Sequence, residues 1–121
     1  MRKCIWAMAG VMGAGAALAD TAQFDGTYAI DPAARDCLVG QGDVPGAAFR
    51  IEEGQFFGIE SVCRLANPTN IRDMSAARLF DLQCSGEGAE WSDRILLMKL
   101  DDGSLLRVVN GLAFTNPLCP E

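Results

Sequence analysis

Four cysteines, Cys37, Cys63, Cys84 and Cys119, constrain this chain more than any other feature. They are 26, 21 and 35 residues apart, and no Cys-x-x-Cys pair occurs among them. An even set of widely spaced cysteines in a small exported chain reads as two disulfides, not as a redox dithiol or a zinc ribbon. Four cysteines allow three pairings. A hairpin of 55–65 with 76–85, centred near residue 70, sets Cys63 opposite about residue 78 and Cys84 opposite about residue 57. At about 3.4 Å per residue along a strand, that separation is too long for a disulfide. The expected pairing is therefore Cys37–Cys63 with Cys84–Cys119, ahead of Cys37–Cys84 with Cys63–Cys119.

The leading segment explains why the fifth cysteine, Cys4, is set aside. Arg2 and Lys3 precede an apolar run rich in Ala and Gly, and Ala17-Leu18-Ala19 offers small residues for cleavage before Asp20. This is the pattern of a secretory signal peptide over residues 1–19, and residues 20–121 are then one β domain in the periplasm or outside the cell. The apolar run is short for a transmembrane helix and is broken by glycines, so no membrane span is expected after cleavage. Cys4 precedes the apolar run, where it cannot serve as a lipidation site.

Composition removes several functions. The 121 residues carry 10 Lys and Arg against 16 Asp and Glu, and there is no His. Nucleic acid and anionic membranes call for a basic stripe, which this balance does not supply. Without His there is no Ser-His-Asp triad, no Cys-His dyad and no His-ligated zinc. No serine sits in a nucleophile elbow, and no Gly-rich loop carries a Lys for phosphate. The chain is read as a non-enzyme with no cofactor and no metal site.

Beyond residue 47 the hydrophobic pattern has a period of two, interrupted by turn residues. Strands are expected over 24–30, 47–52, 55–65, 76–85, 91–100, 105–109 and 112–115, and Asn67-Pro68-Thr69-Asn70 reads as a loop. Asp31-Pro32 is a helix-start signal, so one short helix is expected near 32–39, carrying Cys37. Asp101-Asp102-Gly103 is expected to turn with type I′ geometry. The expected fold is mainly β: a small antiparallel meander barrel or curved sheet of six or seven strands, with a sandwich as the alternative.

Candidate contact residues follow from position. Trp91 lies just after the Ser85-Gly86-Glu87-Gly88 turn, where it either caps the end of the core or, exposed, anchors a partner. Glu87 and Glu90 lie beside it and, with Asp93, form an acidic cluster that suits a basic protein partner. The acidic pairs Glu52-Glu53 and Asp101-Asp102 lack the spacing of a calcium loop and read as solvated turns. Phe56 and Phe57 must point to opposite faces of a strand, and Phe56 is taken as the exposed ring. Arg50, Arg64 and Arg107 are expected on outward faces, paired across strands with Glu52, Glu60 or Asp81. Phe49, Ile59, Leu82 and Met98 are expected to line the interior.

The stretch Gly58-Ile59-Glu60-Ser61-Val62-Cys63-Arg64-Leu65, followed by Cys84-Ser85-Gly86-Glu87-Gly88 and Trp91, resembles small exported two-disulfide proteins of alphaproteobacteria, whose function is uncharacterised. More loosely, the chain is similar in class to periplasmic lysozyme inhibitors and metalloprotease inhibitors built on small β-barrels. The reading that follows is a binding module, with inhibition of a lysozyme or protease as one form of it. The alternatives are a barrel that carries a small ligand and a structural or assembly factor of the envelope.

Overall fold

The structure, a computed structural model, describes residues 21–31, 33, 36–40 and 46–120. The signal-peptide reading of residues 1–19 lies outside them. Nine strands are formed among the described residues: β1 (Gly26–Ala29), β2 (Leu38–Val39), β3 (Ala47–Glu52), β4 (Gln55–Gly58), β5 (Ser61–Asn70), β6 (Ala77–Gly86), β7 (Ala89–Lys99), β8 (Leu105–Val109) and β9 (Leu112–Asn116). From β3 to β9 each strand pairs antiparallel with the next, and β1 pairs with the free edge of β3. The chain after β9 then returns to β1. Ala29 N donates to Pro117 O, Cys119 N donates to Thr27 O, and Tyr28 faces Leu118. The result is a nearly closed, barrel-like sheet, which leaves few unpaired edges.

Hairpin chemistry sets the meander. Glu53-Gly54, Glu87-Gly88 and Asn110-Gly111 each have positive φ at both residues, the conformation of a two-residue type I′ turn. The β7–β8 connection differs from expectation. Leu100 N donates to Ser104 O, and Gly103 alone of Asp101-Asp102-Gly103 has positive φ, which makes a three-residue loop with a bulge.

Two further expectations are corrected. Residues 38–39 form a strand parallel to β3, and Cys37 has φ of 60°, so no helix runs through this part of 32–39; residues 32, 34 and 35 lie outside the described set. Asp31 does accept a bond from Ala33 N, the turn-forming contact its carboxylate was expected to make. The second concerns the loop expected at 67–70. Asn67, with φ of 52°, instead marks a register shift within β5, and the strand continues to Asn70. The connection to β6 is 71–76, so the hairpin axis moves toward the C-terminus. Cys63 then lies directly opposite Cys84.

This register decides the disulfides. They are Cys63–Cys84, across the β5–β6 ladder, and Cys37–Cys119. The expected pairing fails because it placed the hairpin centre near residue 70. Cys37–Cys119 packs on Ala29 and Ala48, on the outer side of β1 and β3, and ties the β2 segment to the tail that closes the sheet. The chain-entropy relation gives about 3 kcal/mol for Cys63–Cys84 and about 4.5 kcal/mol for Cys37–Cys119, which closes the longer loop.

The interior is filled by side chains. Phe24, Tyr28, Phe49, Ile51, Leu65, Phe80, Leu82, Ile95, Leu97 and Leu105 form one buried cluster with the Cys63–Cys84 disulfide. Phe24, from the turn before β1, meets Phe80 edge-on at 5.9 Å. Of the residues expected inside, Phe49 and Leu82 are there. Ile59 is in an exposed turn, and Met98 alternates to the face opposite buried Leu97.

Two outcomes test this fold. Trypsin cleaves after Arg and Lys, which places the four cysteines in the separate peptides 36–50, 51–64, 79–94 and 108–121. A non-reducing digest analysed by mass spectrometry is expected to link 36–50 to 108–121 and 51–64 to 79–94. A link from 36–50 to 51–64 would refute the register. Gly86 is the second test, because a Cβ there would lie 2.5 Å from Glu60 O and 3.1 Å from Ser61 Cα. Gly86→Ala is expected to lower urea-unfolding stability by about 1–3 kcal/mol, since backbone must move to admit the methyl group.

Candidate functional site

The first site is built by the β6–β7 hairpin. These strands pair from Ala77–Met98 out to Gly86–Ala89, whereas β7 pairs with β8 only over Ile95–Lys99. Residues 89–94 therefore extend past the β8 edge. Trp91 lies in this extension, opposite Cys84, and is 41% exposed. A shallow groove beside it is lined by Arg64, Gln83, Ser85, Glu90, Trp91 and Ser92. Glu87 and Glu90 are exposed at its rim. The hairpin is held near its tip by Cys63–Cys84 and by the close approach of Gly86 to Glu60 and Ser61.

Polar contacts order the outer face of β5, β6 and β7. Arg64 donates to Gln83 Oε1 across β5 and β6. Asp81 accepts from Asn67 Nδ2 and from Arg94 Nη1, each at 2.7 Å. These two bonds, Asn67 first, hold the Asp81 carboxyl below the usual carboxylate range. On β3, Arg50 Nε lies 3.0 Å from Glu52 Oε1 and lowers its pKa in the same way. Asp81 thus pairs across strands with Arg94, while of the arginines expected to do so Arg50 pairs along its own strand and Arg64 bonds the Gln83 amide. Exposed pairs of this kind contribute under about 1 kcal/mol.

Phe56 is not where it was expected. Its ring stacks on Phe49 at 4.7 Å and packs against the core. Phe57 is the ring on the other face, beside Val39 and Val62 in an outer groove. Burial of Ile51 and Cys63, the cross-strand neighbours of Phe56, draws that ring inward and overrides the exposure argument.

The second site was not foreseen, and it is basic. Buried Leu105 and core-packed Val109 alternate with Arg107 on one face of β8, so Arg107 points inward, not outward. Its guanidinium carbon lies 4.9 Å from the centre of the Phe49 ring and 4.5 Å from that of Phe114. Arg107 Nε donates to Asn116 Oδ1 at 2.7 Å. Asn116 is 2% exposed, and its Nδ2 donates to Ala29 O, which fixes the side-chain amide. On the same face, Lys99 Nζ lies over the Tyr28 ring and donates to Tyr28 Oη, which in turn donates to Phe24 O. Arg78, Leu97 and Arg107 form one cross-strand row, and Arg78 Nε is enclosed without a hydrogen-bond partner. Among the described residues, none of these three cations is ion-paired.

Burial lowers the pKa of both Lys99 and Arg107. Burial, reinforced by the charge of Asp25, pushes Tyr28 up to about 12. The sequence carried a weak signal for this site. Leu105-Leu106-Arg107-Val108-Val109 is apolar on both faces, so alternation alone could not say which way Arg107 points; the register against Leu97 decides it.

Among the described residues, no group of three or more acidic or sulfur ligands converges as a metal site, and no helix is long and apolar enough to cross a membrane. Comparison with family models, curated proteins and solved structures finds no match. The motif that carries the resemblance has a structural account in this chain: Cys63 bonds Cys84, Gly86 admits the neighbouring backbone, and Glu87-Gly88 turns the hairpin.

Tyr28 is the only tyrosine, so its ionisation can be followed by absorbance without overlap from another phenol. The folded protein is expected to titrate near 12, and the protein in denaturant near 10. Between those values the unfolded state binds fewer protons, so the contribution of Tyr28 to stability is complete below pH 10 and is lost as pH rises through 12. A folded midpoint at the ordinary value would show that Tyr28 is exposed and that the Lys99–Tyr28–Phe24 chain is absent.

Proposed function

We propose that this chain is an exported, non-enzymatic binding module that engages a protein partner through the β6–β7 hairpin, with a hydrolase of the envelope, a lysozyme or a protease, as the partner class to test first. The observation that carries this reading is Trp91, 41% exposed on a hairpin that is anchored by a disulfide and extends past the β8 edge. A rigid aromatic anchor loses little entropy on binding, and its burial gives a large return in contact area. Glu87 and Glu90 flank it on a chain of net charge −6, which favours a basic partner and speeds its encounter. The two disulfides are compatible with an oxidising compartment, which supports export.

An envelope assembly factor shares the same surface requirement and differs only in the partner. A carrier with an enclosed ligand is less well supported, because the core side chains occupy the interior.

The test is titration of the oxidised protein against a panel of lysozymes and proteases, with Trp91→Ala in parallel. The expected result is stoichiometric inhibition of one hydrolase, weakened about 30-fold or more by the substitution, the scale of a hot-spot residue. A panel left unbound and uninhibited would exclude the inhibitor reading. A constant envelope partner recovered instead, and lost with Trp91→Ala, would establish the assembly reading.

A further inference from the structure

We propose that Arg107, with Phe49, Phe114 and Asn116, forms a slot for a small monocarboxylate that carries an apolar group. The slot is independent of the Trp91 surface.

The argument begins with what the guanidinium has and lacks. Its Nε is bound to Asn116 Oδ1, and the orientation of Asn116 is fixed by its own bond to Ala29 O. The two terminal nitrogens take no partner among the described residues, yet they are not enclosed. The donor pair at the end of the guanidinium therefore remains available in a fixed plane. That pair matches the two oxygens of a carboxylate, which accept parallel hydrogen bonds from such an edge.

The walls select the rest of the ligand. Phe49 and Phe114 both lie within 5 Å of the guanidinium carbon, and Phe114 is 38% exposed, so the apolar wall reaches solvent on that side. The edge of a guanidinium held against rings takes two oxygens of a carboxylate or of a phosphate alike, so it is the apolar wall beside it that favours a carboxylate bearing an apolar group. An apolar substituent would cover the exposed part of Phe114. The charge balance selects a monoanion, since the slot offers a single free guanidinium and Lys99 Nζ is already directed to Tyr28 Oη.

The surroundings favour a negative ligand. Arg78 and Lys99 face the same side of the sheet as Arg107, and none of the three is paired with a carboxylate among the described residues. A purely structural arginine would be better served by one of the 16 acidic groups of the chain. Arg107 is itself desolvated by burial without a carboxylate bonded to it among the described residues, and an anion bound at its free edge would supply the missing acceptors.

The experiment is calorimetric titration of the oxidised protein with benzoate, hexanoate, benzamide and inorganic phosphate. Benzoate and hexanoate are expected to bind, and benzamide, which lacks the charge, is not. Arg107→Lys keeps the charge and loses the paired donors, and it is expected to weaken benzoate by about tenfold, or about 1.4 kcal/mol. Phe114→Ala, at a partly exposed ring, leaves the core intact; it is expected to weaken benzoate and hexanoate while the Tyr28 titration stays unchanged. That variant keeps the test valid if substitution at Arg107 unfolds the protein. Absence of heat with both carboxylates at millimolar concentration would overturn the proposal. So would phosphate binding as tightly as benzoate with no effect of Phe114→Ala, because that pattern is unspecific charge pairing.

Discussion

The register of β5 against β6 is the constraint on which the rest of the molecule depends. Cys63 opposite Cys84 fixes it covalently, and the shift at Asn67 lets a ten-residue strand run on past the cross-link. A slip of one residue would exchange the two faces of a strand. If β6 turned over, Phe80 and Leu82 would leave the core and Gln83 would enter it; if β5 did, Leu65 would leave and Arg64 would enter. The register passes from strand to strand through the short hairpins. It places Trp91 against Cys84, Leu97 between Arg78 and Arg107, and Phe114 opposite Arg107. Both candidate sites therefore follow from one pairing, although they lie on different parts of the sheet.

Charge is distributed against the composition. Most carboxylates occupy turns and outer faces, as an acidic chain with short hairpins requires. Among the described residues, the cations of the inner face make no ion pair with them. Aromatic rings partly compensate Lys99 and Arg107, and their stacking continues through Tyr28, Phe49 and Phe56. A cation held over rings keeps some favourable electrostatics while losing water. It does not gain the hydrogen-bond acceptors that a carboxylate would give. The inner face is therefore stabilised by packing and left electrostatically incomplete, which is the physical basis for reading Arg107 as a binding residue.

How far the fold was legible varies with the residue. The Glu-Gly and Asn-Gly turns were readable because two successive residues with positive φ demand such pairs. The strands around Ile51 and Leu82 were readable from alternation and that around Ile95 from an apolar run between turns, and the meander followed from the short connections. The disulfide pairing was not readable, since it depended on the hairpin centre, and Pro68 in Asn67-Pro68-Thr69-Asn70 signals a break that tertiary pairing overrides. The helix expected near 32–39 rested on Asp31-Pro32 and a short helical period; at Leu38–Val39 pairing with β3 prevailed. At the sites, the place of Trp91 after a turn left core-capping and exposure both open, and the end of β8 pairing at Ile95 decides for exposure. The positions of Phe56 and Arg107 could not be read either, because each lies on a strand with apolar residues on both faces.

The most direct test of the inward-facing Arg107 is its side-chain proton spectrum in the oxidised protein. A guanidinium between two phenyl rings is expected to show side-chain protons shifted strongly upfield, with cross-relaxation to the ring protons of both Phe49 and Phe114. Arg107 protons at the positions of a solvated arginine, with no contact to either ring, would place the side chain outside and contradict the register that organises the fold.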